Sequence, residues 1–534
     1  MTHSNFASHS YSHPQPKADS RPRRTGAPAL FSLPRLSLCL IGLSLAGAGL
    51  AADKPAGRDR HDNFHFLGEM NKASTVMVVE TKIVPPDLGA RIASAVDQVI
   101  KDGNQPGGKR PGDYLQYEPL ILAIAGPDGS RMHSGRSRQD ILSTNRRLMQ
   151  RERALKLMDA MNKSKAQFLE LAAGNMDTIV PAYTNGVQAQ PTTYAHYLLA
   201  FAEVFERDSE RLKQAYARLN LSPLGSGALG TSSFPVDRKR LAELLGFDGV
   251  VENSYDAAQL AALDQGVELI TLCSNTALTI GLLIQDIHTQ YHQPHPWIMI
   301  QEGHLTGTSS IMPQKRNPYA LNILRLQSSD IVGGAMTYQL EAHNVTPGMP
   351  DYKRDQVEKT LDLTASAFVK LTDLMNNLII DKKRALEEVD DDYSTTTELA
   401  DILQRESNIP FRVGHHFASD LVTFGRLNKM KPIEIPFDVV QQKYAEAVKA
   451  FDFTDTVFPL TEERYRKSLT AQNMLSSSKG LGGPQRAETE RMLAAERDKL
   501  RQDAAWLKTQ QDKLARAQEN LDQTFHRIEN GQAK

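Results

Sequence analysis

The sequence has little cysteine. Its 534 residues include only two, Cys39 and Cys273. Cys39 falls in a segment that we expect to be removed, so the mature chain would hold a single thiol. Zinc–thiolate clusters, CxxC redox centres and disulfide-stapled folds each need several cysteines. The sequence therefore excludes all three kinds of site.

An excess of charge of one sign is also lacking. The 62 Lys and Arg residues balance 63 Asp and Glu residues, which argues against a nucleic-acid partner, because such proteins usually show a clear basic excess. Aromatic residues make up only 7% of the chain and β-branched runs are few, a composition that favours helix over strand. The length and the 40% hydrophobic content fit a globular protein of several domains.

The first fifty residues have the order of a secretory signal. Basic residues as far as Arg35 precede an apolar run at 36–50, which ends in small residues. We expect cleavage near Ala51 or Ala52 and a periplasmic or secreted protein. An uncleaved anchor, or a cytoplasmic protein with a misplaced start, is the alternative. The run is shorter than the ~20 residues of a membrane-spanning helix, and no later segment is expected to span a bilayer.

Apolar residues with a 3.6-residue period predict long helices. The pattern is clear at 88–100 and at 185–211, where Pro191 is expected in the first helical turn. The segment 260–289, which includes Cys273, is apolar on all sides, as is typical of a helix buried among others. No alternation with a period of two is sustained enough for a sheet. The sequence therefore predicts an all-α bundle with functional loops.

The C-terminal tail at 481–534 differs in character from the rest. Leucines recur every seven residues from Leu493 to Leu521, between mostly polar residues. A true coiled coil normally has two apolar positions in each heptad. We therefore favour an amphipathic helix lying on its own subunit over a weak coiled-coil seam.

The strongest chemical signal is the segment Gly307-Thr-Ser-Ser-Ile-Met-Pro-Gln-Lys-Arg-Asn-Pro318. It joins a loop of small residues to a proline, a lysine and an asparagine just before a predicted helix. Hydroxyls, backbone N–H donors, one cation and one amide suit the holding of a carboxylate while a proton leaves the adjacent carbon. Segments 133–140, 180–191 and 222–229 are similarly dense in polar and small residues.

Together these motifs resemble those of the fumarase/aspartase superfamily, and within it argininosuccinate lyase. The MPQKRNP loop marks the superfamily, whereas GRSRQD, PLGSGAL and NIPFRVGHH are closer to argininosuccinate lyase. The similarity runs from Asn71 to Gly482. It implies an all-α, three-domain subunit with a long central helix bundle and a homotetramer whose active sites are shared between subunits. The expected divisions of the chain are a leader at 1–52, helical domains at 53–137, 138–388 and 389–480, and the tail.

The resemblance also implies a reaction. It is the β-elimination of an N-substituted succinate, argininosuccinate or a related N-succinyl amine, to fumarate and an amine, without a metal or organic cofactor. By match to the motif, Ser309 is the base, and Lys315 and Asn317 hold the carboxylate that gains charge. The other implied contacts to this small-molecule substrate are Ser137, Arg138, Gln139, Thr184, Asn185 and Tyr352.

Several positions depart from the family pattern. The expected His after Tyr-Thr is Asn185, and the Glu expected seven residues after Lys315 is Asn322. Because the loss of one partner alone would leave an unpaired buried charge, we interpret the two as one coupled change. Gln139 replaces an Asn and Val357 a Gln. These changes and the predicted export favour a substrate other than argininosuccinate. A catalytically silent protein that binds a dicarboxylate or an amino acid is the alternative.

Histidines outside the motifs are weaker candidates for metal binding or proton transfer. His288 and His292 have a spacing that could ligate a metal, but no carboxylate follows at a matching place, so a metal site is not expected. His196 and His304 lie near the motifs and are candidates for a substitute proton donor.

Overall fold

The computed structural model describes residues 61–349 and 355–532. The predicted signal segment and Tyr352 lie outside the described residues. Helices occupy Asn63–Glu80 (α1), Pro86–Asn104 (α2), Tyr114–Ala125 (α3), Arg138–Gly174 (α4), Tyr194–Leu219 (α5), Arg238–Leu244 (α6), Ala261–Tyr291 (α7), Tyr319–Ala342 (α8), Gln356–Asn376 (α9), Lys382–Asp390 (α10), Thr396–Ser407 (α11), Phe411–Leu427 (α12), Phe437–Ala450 (α13), Glu462–Ser468 (α14), Ala471–Ser477 (α15) and Arg486–Glu529 (α16). Short strands occupy Ile179–Thr184 (β1), Val187–Thr193 (β2), Leu221–Ser222 (β3), Gly249–Val250 (β4), Ile298–Ile300 (β5), Gly307–Thr308 (β6), Arg316–Asn317 (β7) and Leu378–Ile380 (β8).

The long helices α4, α5, α7, α8 and α9 pack on one another and enclose the largest hydrophobic core. At 1.5 Å per residue, α4 rises about 55 Å over its 37 residues and α7 about 46 Å over its 31. Arg147, near the start of α4, donates to the carbonyl oxygen of Ala261 at 3.5 Å. The two helices therefore begin at the same end of the bundle. The predicted all-α bundle is confirmed.

Helix α7 is the apolar helix expected at 260–289. Its Cys273 is fully buried in the bundle core, as predicted, and burial raises the pKa of the thiol to about 12. No segment after the leader was expected to be long and apolar enough to span a bilayer. That expectation was wrong, because Asp256–Tyr291 is both long enough and apolar enough. Half of its most apolar stretch is buried inside the subunit, as in the core helix of a bundle.

Two predictions about the backbone were wrong. The strands pair in four two-stranded sheets within the described residues, although no sheet was expected. Helix α5 starts at Tyr194 with Thr193 as its N-cap, and Pro191 lies in β2 opposite Pro181. The cause is a tight hairpin at Asn185-Gly186, where both residues have positive φ (52° and 75°). Asn-Gly is the preferred dipeptide for such a two-residue turn, so the sequence itself contains the signal for this hairpin.

Two smaller cores lie outside the bundle core. One is formed by α1, α2, α3 and α6 with the end of α16, and another by helices α11 to α14. The domain boundaries drawn from the sequence remain a prediction.

Helix α16 confirms the favoured interpretation of the leucine heptads. It lies on its own subunit, along α4, α5, α1 and α2. Leu493 and Leu507 are buried in the bundle core, and Leu521 is buried with Phe525 in the N-terminal core. The heptad leucines therefore pack into the subunit that carries them.

Candidate active site

The segment 307–318, which carries the strongest chemical signal of the sequence, forms a small hairpin that we call the signature hairpin. Strands β6 and β7 pair antiparallel, with Gly307 opposite Asn317 and Thr308 opposite Arg316. Ser309 follows the last pair directly and Lys315 precedes it, so both lie at the same end of the hairpin. The side-chain amide of Asn317 donates to the carbonyl oxygen of Thr308 at 3.4 Å. The structure thus brings the three predicted residues Ser309, Lys315 and Asn317 together on one hairpin.

The hydroxyl of Ser309 receives two backbone donors. Its Oγ accepts from the N–H of Met312 at 3.1 Å and from the N–H of Ile311 at 3.4 Å. Such donors stabilise negative charge on an oxygen, which is what a serine needs to act as a base. Ser309 is half-buried and Lys315 is exposed, so a substrate can reach both.

Tertiary contacts fix the hairpin at the C-terminal end of α7. The hydroxyl of Tyr291, the last residue of α7, donates to the carbonyl oxygen of Arg316 at 3.2 Å. The guanidinium of Arg316 lies 2.9 Å from the carboxylate of Glu302. The backbone N–H of Ala320 donates to the carbonyl oxygen of Leu305 at 3.0 Å. The signature loop is therefore held at both of its ends.

Thr184 and Asn185 lie at the tip of the β1–β2 hairpin and are exposed. The hydroxyl of the neighbouring Tyr183 donates to Glu388 of α10. The positive φ of Asn185 is a conformation that asparagine tolerates better than most residues. The residue that replaces the expected histidine thus also suits the turn that carries it.

Ser137, Arg138 and Gln139 lie at the start of α4. Ser137 caps the helix, and Arg138 pairs with the carboxylate of Asp113 at 2.7 Å. The fully buried Asp140 accepts the N–H of Gly225 at 2.8 Å and that of Gly227 at 3.1 Å. It therefore joins the GRSRQD motif to the PLGSGAL loop. Burial raises its pKa to about 6.

The predicted site residues fall into two sets at opposite ends of the bundle. Ser137, Arg138 and Gln139 lie where α4 and α7 begin, whereas Ser309, Lys315 and Asn317 follow the end of α7. About 46 Å of helix separates the two ends. Thr184 follows the end of α4 and belongs with the second set. A single subunit does not bring the two sets together.

The two histidines considered as substitute proton donors, His196 and His304, already have polar partners. His196 contacts the Thr192 hydroxyl through Nδ1 and the Gly482 carbonyl oxygen through Nε2, both at 2.9 Å. His304 pairs with Asp373 at 2.8 Å. These contacts do not favour either histidine as the substitute proton donor. Among residues that the sequence did not single out, Asp113 caps α3 and pairs with Arg138 at 2.7 Å. An aspartate directly before an apolar run is a helix N-cap signal, which could have pointed to it.

An apolar surface remains exposed on the bundle. Its members are large side chains on α7, α8 and α9, each more than half exposed: Leu278, Leu282, Leu326, Met336, Leu340 and Val369. Apolar side chains exposed along neighbouring helices are typical of a contact surface between proteins.

The chain is similar to known lyases. Residues 121–333 match a family described as lyase, and residues 393–475 match the argininosuccinate lyase C-terminal family. The chain is 32% identical to argininosuccinate lyase of Methanoculleus marisnigri over 412 residues, which cover 76% of this chain and 80% of that protein. It is 32% identical to the Methanocaldococcus jannaschii enzyme over 441 residues, which cover 80% and 87%.

Solved structures give the same picture. EDDS lyase in complex with formate superposes with a TM-score of 0.80 at 26% identity, over 88% of this chain and 93% of that one. A class II fumarase from Schistosoma mansoni superposes with a TM-score of 0.60 at 16% identity, over 77% and 90%. The likeness to the class II fumarase supports the fold alone.

Proposed function

Since the chain belongs to the argininosuccinate lyase family of carbon–nitrogen lyases, we propose that it eliminates an amine from an N-substituted succinate, with Ser309 as the base. The observation that carries this proposal is the geometry of the signature hairpin. There, Ser309 Oγ accepts the N–H of Met312 at 3.1 Å, at the same end as Lys315.

The steps balance without a further reactant. Ser309 takes the proton from the carbon next to a carboxylate, and the electron pair of that C–H bond forms the double bond of fumarate. The nitrogen enters already protonated, as an ammonium, so when the C–N bond breaks its electron pair stays on the nitrogen and a neutral amine leaves. Lys315 and Asn317 hold the carboxylate that gains negative charge as the proton departs.

The neutral Asn185 and Asn322 favour an alkylamine as the leaving group over a guanidine. An alkylamine has a conjugate-acid pKa of about 10.4, against about 12.5–13.8 for a guanidine. The weaker base departs with its electron pair more easily and needs less help from an acid. A site without the family His and Glu is therefore better suited to an N-alkyl aspartate than to argininosuccinate.

A complete site requires more than one copy of the chain. Ser309 and Arg138 lie at opposite ends of the bundle, so the two sets of residues can meet only between subunits. The apolar surface on α7, α8 and α9 is suited to bury against further copies. These observations support a homotetramer with shared active sites.

Export and the role of Tyr352 remain proposals that rest on the sequence. The charged, apolar and small-residue order of residues 1–52 supports a periplasmic or secreted enzyme. Tyr352 is proposed as a substrate contact on its match to the family motif.

The proposal is tested by following fumarate absorbance with a panel of N-substituted aspartates. Ser309→Ala should lower kcat/KM by at least about a hundredfold, because it removes the base. Succinate affinity should stay within about tenfold, or roughly 1.4 kcal/mol. Ser329→Ala, on the exposed side of α8, is the matched control and should retain activity. Absence of turnover with intact succinate binding would instead favour the silent binding protein.

A further inference from the structure

A second pair of histidines, four residues apart, lies at the start of α1. His61 directly precedes Asp62, the N-cap of this helix, and His65 lies in its first turn. The two imidazole rings stack face to face, with their centroids 4.5 Å apart and their planes within 5° of parallel. Histidines four residues apart can bind one metal ion together.

Both histidines line a cavity of about 230 Å³ where α1, α4, α6 and α16 meet. The carboxylates of Glu69 and Glu152 line the same cavity. Its apolar wall is formed by Phe66, Leu148, Leu244, Leu245 and Leu514. A water molecule takes about 30 Å³ of liquid volume, so the cavity has room for a metal ion and several waters.

The carboxylate of Glu152 orients the ring of His61. Its Oε1 lies 2.9 Å from Nδ1 of His61. When Nδ1 donates its proton to this contact, the lone pair of the ring is on Nε2. Histidines that bind metals almost always donate their other ring N–H to a carboxylate, a carbonyl oxygen or a water, and this contact makes the ligating nitrogen more basic.

The ring of His65 is available to a ligand. Its backbone N–H donates to Asp62 at 3.0 Å, but no group among the described residues forms a hydrogen bond with either ring nitrogen. Burial lowers the pKa of His65, so its imidazole is mostly neutral at pH 7. The neutral imidazole is the form that binds metals.

The charges that line the cavity favour a cation. The lysines that pair with Glu69 and Glu152 are Lys72 and Lys156, and neither lines the cavity. Arg151 does line it, but its guanidinium is fully buried and donates to Oδ1 of Asn220 and to the carbonyl oxygen of Leu245, both at 3.0 Å.

His288 and His292 provide an internal comparison. They have the same spacing, and their rings stack with centroids 4.6 Å apart. Within the part of the chain that the structure describes, no carboxylate pairs with either of them. Burial and the charges of His292 and Arg325 lower the pKa of His288. This second pair thus has the geometry without the carboxylate.

We propose that His61 and His65 bind a divalent transition-metal ion such as Zn²⁺, with Glu152 holding His61 in place. Imidazole is a suitable ligand for zinc. A tetrahedral zinc ion holds two ligand nitrogens about 3.3 Å apart, so the stacked rings need to tilt toward each other at one edge. Waters in the cavity complete the coordination. The ion links the start of α1 to α4, separately from the signature hairpin.

Calorimetric titration of the untagged protein with Zn²⁺, after treatment with a chelator, tests the site. His61→Ala should weaken Zn²⁺ binding by about a hundredfold or more, because it removes a ligand, and His65→Ala should do the same. Glu152→Gln keeps both ligands but loses the carboxylate, and should weaken binding by about tenfold. His61 is exposed, so the fold should tolerate its replacement even if that of His65 is not tolerated.

His292→Ala is the matched control and should leave the strongest Zn²⁺ binding unchanged. Equal weakening in His61→Ala and His292→Ala would show unspecific binding by surface histidines and would overturn the inference. So would unchanged binding in both His61→Ala and His65→Ala.

Thermal unfolding gives a second readout that does not depend on lyase activity. An ion that binds only the folded chain raises the melting temperature with its concentration. Zn²⁺ should therefore raise the melting temperature of the wild-type protein and of His292→Ala, but not that of His61→Ala. A wild-type melting temperature that does not respond to Zn²⁺ would reject the site.

Discussion

At the residue scale, single buried polar side chains hold the motifs in place. Asp140 accepts the backbone N–H groups of Ser137, Gly225 and Gly227 with one carboxylate. Three donors on a single buried group leave it little freedom to move. The start of α4 and the glycine loop are therefore fixed relative to each other by a residue that needs no contact with substrate.

The raised pKa of Asp140 gives a pH dependence whose sign follows from linkage. The pKa is about 6 in the folded protein, against 3.8 for the free side chain. The folded state therefore binds the proton of Asp140 more tightly than the unfolded state does. As pH rises from about 4 to about 6, the free energy of unfolding falls by roughly 3 kcal/mol because of this group. Asp140→Asn should flatten the fall in unfolding free energy over this range. Denaturant titrations at several pH values would show it, and an unchanged slope would contradict the assignment.

At the element scale, helix α16 is held to the bundle by ionic contacts as well as leucines. Lys165 of α4 is almost fully buried between Glu206 of α5 and Glu496 of α16. Lys213 of α5 pairs with the buried Asp503 of α16 at 2.7 Å. A buried ion pair that has lost one partner leaves a charge without compensation, so these lysines specify how α16 lies on the bundle.

Removing one of these lysines should destabilise the subunit. Lys165→Met would leave Glu206 and Glu496 without their shared cation, at an expected cost of about 3–5 kcal/mol in unfolding free energy. Lys163→Met is the matched control on the same helix, because Lys163 is exposed and pairs with Asp159 at 2.6 Å. It should cost less than about 1 kcal/mol. Chemical denaturation would compare the two, and equal losses would rule out a buried ionic contact as the cause.

At the scale of the whole molecule, the long helices decide which residues can share a site. The bundle is long enough to keep Arg138 and Ser309 of one chain far apart. A helix of 31 residues is a rigid spacer of about 46 Å, and no loop movement of ordinary size closes that gap. Assembly is therefore the expected route to a working enzyme.

Mixing two inactive variants tests this arrangement. Ser309→Ala and Arg138→Ala should each be inactive alone, but unfolding and refolding an equal mixture should restore about a quarter of the wild-type activity. In random mixed tetramers, about one site in four would combine an intact Ser309 with an intact Arg138 from another copy. Fumarate release would measure the recovery. Recovery that stayed at the level of the separate variants would show that each site lies within one chain.

The sequence by itself determined the helical class, the buried apolar helix, the family and the small set of motifs that carry the chemistry. These features are local, because a 3.6-residue period or a loop motif such as 307–318 depends only on residues that are neighbours in the sequence. It also contained the Asn185-Gly186 turn, although the helical pattern that follows concealed it. Only the tertiary structure decided that Ser309 receives the N–H of Met312, that Asp140 joins two motifs, and that Arg138 lies at the other end of the bundle. Those relations join residues far apart in the chain, and they depend on how whole helices pack, which no local pattern encodes.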